Sequence, residues 1–324
     1  MSNRTPGRPP APVRAAEPPP RPAPQGAGTA PLEVGPVAHL AIDRAEPPEH
    51  LFRRLLSAYL AGARGFELVE RPRLSLRTRD VVREFCRRTR RPELTRDDGS
   101  RLLLVAQGPG GMPEVEQALL RLGAEVVHFH REALESWERL PLRDDGAWER
   151  RDDDIDREAW YLERSITLQE PPPREHARAE MTAWTIARSL ERIGDHAVTL
   201  GEVGPRLAEL GSETSPVRDL RQVHRQAMAH LEEVLREATD PARVNDLLDV
   251  GEALLEGCRA RSEHVLPAVS DGTMSPAAAA AVSRAFEAIA RTIAYSQDIA
   301  QAYLDRAIPA TSWLPAASAA VPAA

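Results

Sequence analysis

The sequence predicts a mainly α-helical protein, in which a small α+β region precedes a six-helix bundle made of two three-helix repeats. From Pro113 onward, long segments with helical apolar periodicity are separated by helix breakers, and no strand pattern interrupts them. Between positions 37 and 111, shorter helical and strand patterns alternate. Residues 1–36 and 309–324 are rich in proline and alanine and lack apolar periodicity. We expect these two ends to be disordered arms.

Composition is typical of a soluble globular protein. The chain has 324 residues, 42% hydrophobic and 28% charged, and a formal net charge of −7. Two cysteines, Cys86 and Cys258, are too few for a disulfide framework or a cysteine-rich zinc site, which favours a reducing compartment. No window approaches the roughly 18 consecutive apolar residues of a membrane span. We therefore expect a cytoplasmic protein.

The α+β region is predicted at residues 37–111. Apolar residues recur at helical spacing in two segments, and short apolar runs closed by polar residues or glycine indicate two strands. The predicted helices lie within 49–65 and 79–90, and the predicted strands lie at 66–71 and 101–108.

The helical bundle is predicted at residues 112–308. Its six predicted helices are residues 113–140, 144–169, 174–204, 216–239, 241–267 and 275–307. Prolines end the first three, at Pro141, Pro171 and Pro205. Because the connections are short, the helices should pack antiparallel. Three plus three helices suggest an internal duplication, with repeats at about 112–205 and 214–308.

An acidic stripe follows the third bundle helix in SLERIGDHAVTLGE, residues 189–202. Glu191, Asp195 and Glu202 lie close together at about 100° per residue. The opposite side of the helix carries Leu190, Ile193, Ala197 and Leu200. Taken alone, this pattern favours an acidic stripe that faces solvent.

A second acidic segment, RRDDDIDREAW at residues 150–160, raises the alternative of a metal site. Asp152 and Asp156 are four residues apart, and Asp153 and Asp156 are three apart. Adjacent antiparallel helices could turn these carboxylates towards the acidic stripe, and hard oxygen ligands suit Mg²⁺, Mn²⁺, Ca²⁺ or iron. A solvated, acid-rich helix start, favoured by the helix dipole, explains the segment equally well. His196 is either a further nitrogen ligand or an ordinary surface histidine.

The two acidic segments together resemble the PhoU family of phosphate uptake regulators, most closely its archaeal-type members. RDDDIDREAWYLERSI carries the acidic D-x-x-D-R pattern of that family, and ARSLERIGDHAVTLGE carries its E-R-x-x-D-H pattern. EHLFRRLLSAYLAGARGFEL and LSLRTRDVVREF also resemble segments of such proteins. The resemblance covers residues 45–308.

The resemblance implies a six-helix, two-repeat bundle that regulates phosphate transport and phosphate-responsive signalling. It implies a carboxylate-bound divalent or iron-type metal, with Asp153, Asp156, Glu191 and Asp195 as ligands and Asp152 and Glu202 as weaker candidates. Ala290 and Ala294 stand where the second repeat would carry its acids, so a second metal site is not expected, although Asp246, Asp249 and Asp298 lie nearby. Thr199 stands where an asparagine is common in the family.

The resemblance also implies partners. They are a phosphate transporter ATPase subunit or a phosphate-sensing kinase, with membrane association only through such a partner, and a homodimer is left open. The proline-rich arm occupies the place of the AbrB-like DNA-binding domain of many archaeal-type relatives, so nucleic acid is not an expected partner.

Two other function classes remain as alternatives. Nine arginines between positions 71 and 91, against two acids, could bind an anion, a nucleotide or nucleic acid, with Arg83, Arg87, Arg90 and Arg91 as the residues to test. The second alternative is a metal-dependent enzyme built on the helical bundle. The sequence contains no nucleophile elbow, P-loop or H-E-x-x-H motif, and GPGG at 108–111 lacks the residues of a phosphate loop. We therefore expect a non-enzymatic regulator.

Overall fold

A computed structural model of the chain describes residues 36–90, 92–106, 115–137, 146–168, 174–210, 215–237 and 240–307. All of them belong to one compact unit, Gly35–Ala324. The predicted disordered arms lie outside the described residues, apart from position 36. The GPGG segment and Arg91 also lie outside them.

The α+β region is a four-stranded sheet covered by two helices. Its elements are β1 (Val37–Ala41), α1 (Pro48–Leu60), β2 (Gly65–Val69), α2 (Leu76–Arg88), β3 (Pro92–Asp97) and β4 (Arg101–Ala106). The strand order is β1-β2-β4-β3, with β1 and β2 parallel and the other pairs antiparallel. The core includes Leu55 and Tyr59 of α1, Phe66 of β2, Phe85 of α2 and Leu104 of β4, none of them exposed.

Two of the four strands were not predicted from the sequence. β3 is exposed at five of its six positions, and β1 is a five-residue edge strand that is only partly buried. Neither strand therefore has the apolar alternation that marks a half-buried strand. Both are defined instead by backbone pairing with a central neighbour, β4 for β3 and β2 for β1.

Within the described residues, the bundle contains the six long helices that the sequence predicts, and one short helix. These are α3 (Val115–Ser136), α4 (Ala147–Thr167), α5 (Arg174–Leu210), α6 (Ser215–Glu237), α7 (Pro241–Ser262), the short α8 (Val265–Ser270) and α9 (Pro276–Ala307). α5 and α9 pack against each other along the middle of the bundle. α3 and α4 pack against α5, and α6 and α7 pack against α9. The mainly α, two-repeat fold class is therefore confirmed.

Three predicted helix ends are wrong. α3 ends at Ser136 instead of residue 140. The other two, those of α5 and α7, involve proline. α5 continues through Pro205 to Leu210. The residue before this proline is Gly204, which has no Cβ to clash with the proline ring, so the usual bias against helix at that position is weak. α7 ends at Ser262 instead of residue 267. Pro267 cannot donate a hydrogen bond to the carbonyl of Glu263, so a continuous helix would lose that bond.

The apolar stripe of α5 forms the centre of the bundle core. Leu190, Ile193, Ala197 and Leu200 are all fully buried, as the sequence pattern predicts. Packing this stripe between α3 and α9 directs the opposite side of α5 towards α4 and the surface. Among the described residues, no helix is long and apolar enough to cross a bilayer.

Candidate functional site

Three carboxylates, two from α4 and one from α5, converge between these neighbouring helices, and we call them the acidic cluster. Asp152 and Asp156 lie one turn apart on α4, and Asp195 faces them from α5. The three residues each offer one oxygen, and these oxygens all lie within 4.8 Å of one another. Asp156 is buried, Asp152 is half-buried and Asp195 is exposed. The acidic cluster is therefore open to solvent on the side of Asp195.

Burial and mutual repulsion raise the pKa values of these carboxyl groups. Burial, with repulsion from Asp156 and Asp195, raises the pKa of Asp152 to about 8. Burial raises the pKa of Asp156 to about 6, although Arg88 opposes the shift. Glu191, one turn before Asp195 on α5, has its pKa raised to about 8 by burial and by the charge of Asp195. Carboxylates this close cannot all be ionised without a neutralising cation, so a proton or a cation is needed at the site near neutral pH.

One oxygen of the acidic cluster has no hydrogen-bond donor among the described residues. Asp152 Oδ1 is inaccessible to solvent and accepts no hydrogen bond. A buried, unpaired oxygen of this kind costs free energy unless a donor or a cation reaches it. A set of carboxylate oxygens is the donor chemistry that hard divalent cations prefer. The acidic cluster therefore fits a hard metal ion.

Gly194 allows α5 to approach α4 beside the acidic cluster. A Cβ at position 194 would lie 3.0 Å from Cγ2 of Ile155 and 3.8 Å from Oδ1 of Asp152. The first distance is shorter than an ordinary contact between carbon atoms, which is about 3.5–4.0 Å. The glycine therefore permits the helix separation that brings Asp195 close to Asp152.

Two arginines of α2 bind the aspartates of α4, and we call this contact the arginine–aspartate joint. Arg88 Nη2 donates to Oδ2 of Asp156 at 2.5 Å, and Arg88 Nε lies 2.7 Å from Oδ1 of Asp153. Arg87 Nη2 donates to Oδ2 of Asp153 at 2.7 Å. The Arg88 guanidinium lies 5.2 Å from the ring centre of Trp160. The joint thus connects the α+β region to the helix that carries two members of the acidic cluster.

The structure brings together part of the ligand set that the resemblance implies. Asp156 and Asp195 meet, and Asp152, a weaker candidate in the sequence, lies with them. Glu191 lies one turn along α5, close enough for its charge to raise the pKa of Asp152. Asp153 instead pairs with arginines in the joint.

Glu202 and His196 have other partners. Glu202 Oε2 accepts a hydrogen bond from Arg284 of α9 at 3.1 Å. The ring of His196 stacks on Tyr295 of α9, with ring centres 5.8 Å apart, and its Nε2 is buried without a hydrogen-bond partner among the described residues. In the part of the chain that the structure describes, one group of three such metal-binding side chains converges, and it is the acidic cluster.

The predicted anion-binding arginines that the structure describes contact carboxylates of the chain itself. Arg83 pairs with an aspartate one turn earlier on α2, Arg87 belongs to the joint, and Arg90 pairs with Glu158 of α4. Arg91 lies outside the described residues. Arg87 and Arg90 therefore contact α4, whereas Arg83 pairs within α2.

Sequence reasoning missed Arg88, which contacts the acidic cluster directly. One signal was available, because Phe85 lies four residues after Val81 and Arg88 lies three residues after Phe85, so Arg88 continues the apolar face of α2. An arginine on the buried side of an amphipathic helix is expected to have a buried partner. Val81 and Phe85 are indeed buried, and Asp156 is that partner.

Comparison with known proteins gives a domain family and a fold. A family model for the PhoU domain matches residues 119–203, which span α3 to α5 and include all three residues of the acidic cluster. No curated protein matches the chain. PhoU from Pseudomonas aeruginosa is similar in structure, with a TM-score of 0.53 at 16% identity over 59% of this chain and 94% of that one. The phosphate transport system regulatory protein PhoU from Streptococcus pneumoniae has a TM-score of 0.47 at 18% identity over 59% of this chain and 92% of that one.

Proposed function

We propose that this chain, which carries a PhoU domain at residues 119–203, regulates phosphate uptake by binding a protein of the phosphate transport or sensing system. The domain match is the observation that supports the proposal most. The partner we infer is the transporter ATPase subunit or a phosphate-sensing kinase. In this proposal the chain acts by binding its partner through the helical bundle, and not by catalysis.

Phosphate uptake in intact cells tests the proposed role. We expect deletion of the gene to change the rate at which phosphate-replete cells take up radiolabelled phosphate, and to change transcription of phosphate-responsive genes. A plasmid copy of the chain should restore both. The same uptake rate and transcript levels with and without the gene, at high and at low phosphate, would contradict the proposal.

We also propose that the acidic cluster binds a hard divalent cation. Asp152 Oδ1, buried without a donor and facing two further carboxylates, supports this proposal. Asp152, Asp156 and Asp195 would hold the ion, and Glu191 would add negative charge one turn away. The bound cation would neutralise the acidic cluster and brace α4 against α5.

Metal titration with a matched control tests the second proposal. Isothermal titration calorimetry with Mn²⁺ should detect a site in the unaltered chain, and the double change Asp152→Asn, Asp195→Asn should abolish it, because it replaces two charged ligands by neutral amides. Asp154→Asn is the control, since Asp154 lies on the same helix but is exposed and pairs with Arg157. Retention of Mn²⁺ binding by the double variant would place the metal elsewhere. Absence of binding by the unaltered chain would rule out the site and leave the regulatory proposal standing.

A further inference from the structure

A large apolar groove lies at one end of the bundle, away from the acidic cluster. Its volume is about 860 Å³, and it is formed by the first part of α3, the last turn of α4, the first part of α5 and the last turns of α6 and α9. Apolar side chains that line it include Leu119, Leu120, Val127, Ile186 and Leu235. We call it the end groove.

The end groove is lined largely by apolar side chains, one of which is well exposed to solvent. Leu120 is 49% exposed there, one of the few large apolar side chains of the described residues with that much exposure. The charged groups lie at the rim, where Arg306 of α9 pairs with Glu116 of α3 at 2.9 Å. An apolar cavity of several hundred Å³ with a polar rim is the usual shape of a binding site. Apolar side chains are therefore the suitable occupants.

The last turn of α9 leads the chain to the rim of this groove. Tyr303 and Arg306 both line it, and α9 ends at Ala307. The sequence continues for 17 more residues, 308–324, IPATSWLPAASAAVPAA. This C-terminal segment contains no charged side chain, but it contains a tryptophan and a leucine side by side, Trp313 and Leu314.

The length and chemistry of the C-terminal segment suit the end groove. Trp313 is six residues beyond Ala307, and six residues span up to about 20 Å, enough to return over the rim into the groove. A tryptophan buries 150–250 Å² of mainly apolar surface. Because the segment has no charged side chain, docking would not bring an unpaired charge of the segment next to the acidic and basic residues of the rim. Tethering to α9 also gives the segment a local concentration in the millimolar range.

We propose that the C-terminal segment docks into the end groove of its own chain, with Trp313 and Leu314 as anchors. The segment then acts as a tethered plug that covers Leu120 and its neighbours. A partner that uses this end of the bundle would have to displace the plug first. This inference is independent of the proposed metal site.

Disulfide trapping in the full-length chain tests the location of the plug. In a chain with Ala124→Cys and Ser312→Cys, mild oxidation should join the two positions within one molecule, because Ala124 lines the groove and is exposed and Ser312 adjoins the anchor Trp313. The matched control is Met181→Cys with Ser312→Cys. Met181 lies on α5 beside the groove-lining Glu180 and Thr182, but it is 70% exposed on another face of that helix. We expect the first pair to form about tenfold faster than the control, reflecting the higher local concentration.

Three outcomes would overturn the proposal. Equal rates would mean that the segment does not prefer the groove, and a faster control pair would place it on the other face of α5. A bond between two molecules would assign the groove to a second copy of the chain. Peptide mapping by mass spectrometry distinguishes these products, and it separates them from bonds made by Cys86 or Cys258.

A second measurement reads the exposure of the groove without any crosslink. Replacing both anchors, Trp313→Ser with Leu314→Ser, should increase binding of an apolar fluorescent dye several-fold, because the groove is then open to solvent. Val321→Ser is the control, since it removes an apolar side chain from the same segment but not an anchor. Unchanged dye binding in the anchor variant would contradict the proposal.

Discussion

Arg88 is the cation nearest to Asp156, so it and a bound metal would compete for the same carboxylate. Its Nη2 donates to Oδ2 of Asp156 at 2.5 Å, and the Asp156 side chain is almost inaccessible to solvent. A metal that took Asp156 as a ligand would have to share it with Arg88 or displace it. By linkage, the factor by which the Arg88 contact weakens metal binding equals the factor by which a bound metal weakens the Arg88 contact.

We therefore expect Arg88→Ala to raise the affinity of the acidic cluster for Mn²⁺ by roughly tenfold, the scale of a typical coupling between two ligands at neighbouring sites. Without metal, the same variant should unfold more easily by about 2 kcal/mol, because it leaves a buried carboxylate without its partner. Calorimetric titration and urea unfolding measure the two effects. Arg83→Ala is the control, because Arg83 is on the same helix and pairs with an exposed aspartate. Equal Mn²⁺ affinity in the Arg88 and Arg83 variants would contradict the expected competition between Arg88 and the metal for Asp156.

A pair of buried histidines lies between α3, α5 and α6. His130 Nε2 lies 2.8 Å from the carbonyl oxygen of Ile193, to which it can only donate, so its Nδ1 must accept from Nε2 of His224 at 3.2 Å. This arrangement leaves His224 Nδ1 buried without a partner among the described residues. Both rings are therefore held neutral, and burial lowers the pKa of His130 to about 4 and also lowers that of His224.

This histidine pair should make the protein less stable as the pH falls from about 6.5 to about 4. In that window the unfolded chain binds protons at both imidazoles and the folded chain does not, so protonation favours unfolding. Each proton difference is worth up to about 1.4 kcal/mol per pH unit. Replacing His224 by leucine should make the decline of the urea midpoint with pH shallower, and His128→Leu, at an exposed position on α3, should leave it unchanged. The same decline in both variants would show that the buried pair is not its source.

At the scale of helices, the short distance between α4 and α5 depends on the absence of a Cβ at Gly194. Gly194→Ala would place a Cβ 3.0 Å from Cγ2 of Ile155, and this atom belongs to a buried, branched side chain that cannot swing away freely. We expect the variant to lose about 1–3 kcal/mol of unfolding free energy, the usual cost of overpacking. It should also weaken Mn²⁺ binding, because Asp195 moves away from Asp152.

Gly257→Ala is a suitable control for this substitution. Gly257 is also helical, but the nearest atom to its Cβ would be the end of the flexible Arg261 side chain at 3.2 Å. This substitution should be neutral or mildly stabilising, because alanine is the better helix former. A Gly194 variant with the stability and Mn²⁺ affinity of the unaltered chain would show that the helix separation is not limiting.

Helices that bury a strong apolar face could be predicted from the sequence, whereas elements defined by distant contacts could not. The four stripe residues of α5 repeat at helical spacing and are all fully buried, so periodicity alone located the helix and its inner face. β3 has no such face, because five of its six residues are exposed and its pairing with β4 defines it. Pro205 misled the prediction because the effect of a proline depends on its neighbour, here a glycine.

The residues of the candidate site could likewise be predicted only in part, because their contacts depend on distant segments. Sequence spacing places Asp152, Asp153 and Asp156 on neighbouring parts of α4, but the rotation of that helix decides which of them faces α5. The structure directs Asp152 to the acidic cluster and Asp153 to Arg87 and Arg88 of the α+β region. The PhoU domain match bears out the resemblance for residues 119–203, but the two acidic patterns do not indicate that α2 supplies a cation to this helix.

For the molecule as a whole, the dependence of stability on pH near neutrality should report the state of the acidic cluster. Above about pH 7.5 the histidine contributions hardly change, because imidazoles with an ordinary pKa near 6.5 are then almost all neutral in both the folded and the unfolded chain. Asp152 and Glu191, with pKa values raised to about 8, still hold protons in the folded chain, while in the unfolded chain they are ionised. Groups whose pKa is raised by folding contribute stability that is lost as the pH rises through the raised value.

The metal-free protein should therefore lose unfolding free energy between pH 7.5 and pH 8.5, at up to about 1 kcal/mol per pH unit for each linked proton. Saturating Mn²⁺ should reverse the loss, because the cation replaces the departing protons and binds the folded chain better as the carboxylates ionise. Urea unfolding at several pH values, in chelator and in Mn²⁺, measures both curves. Asp152→Asn should flatten the curve in chelator, and Asp154→Asn should not. A stability that stays constant from pH 7.5 to 8.5 in chelator would mean that these carboxylates are ionised in the folded chain, and that the arginine–aspartate joint alone neutralises them.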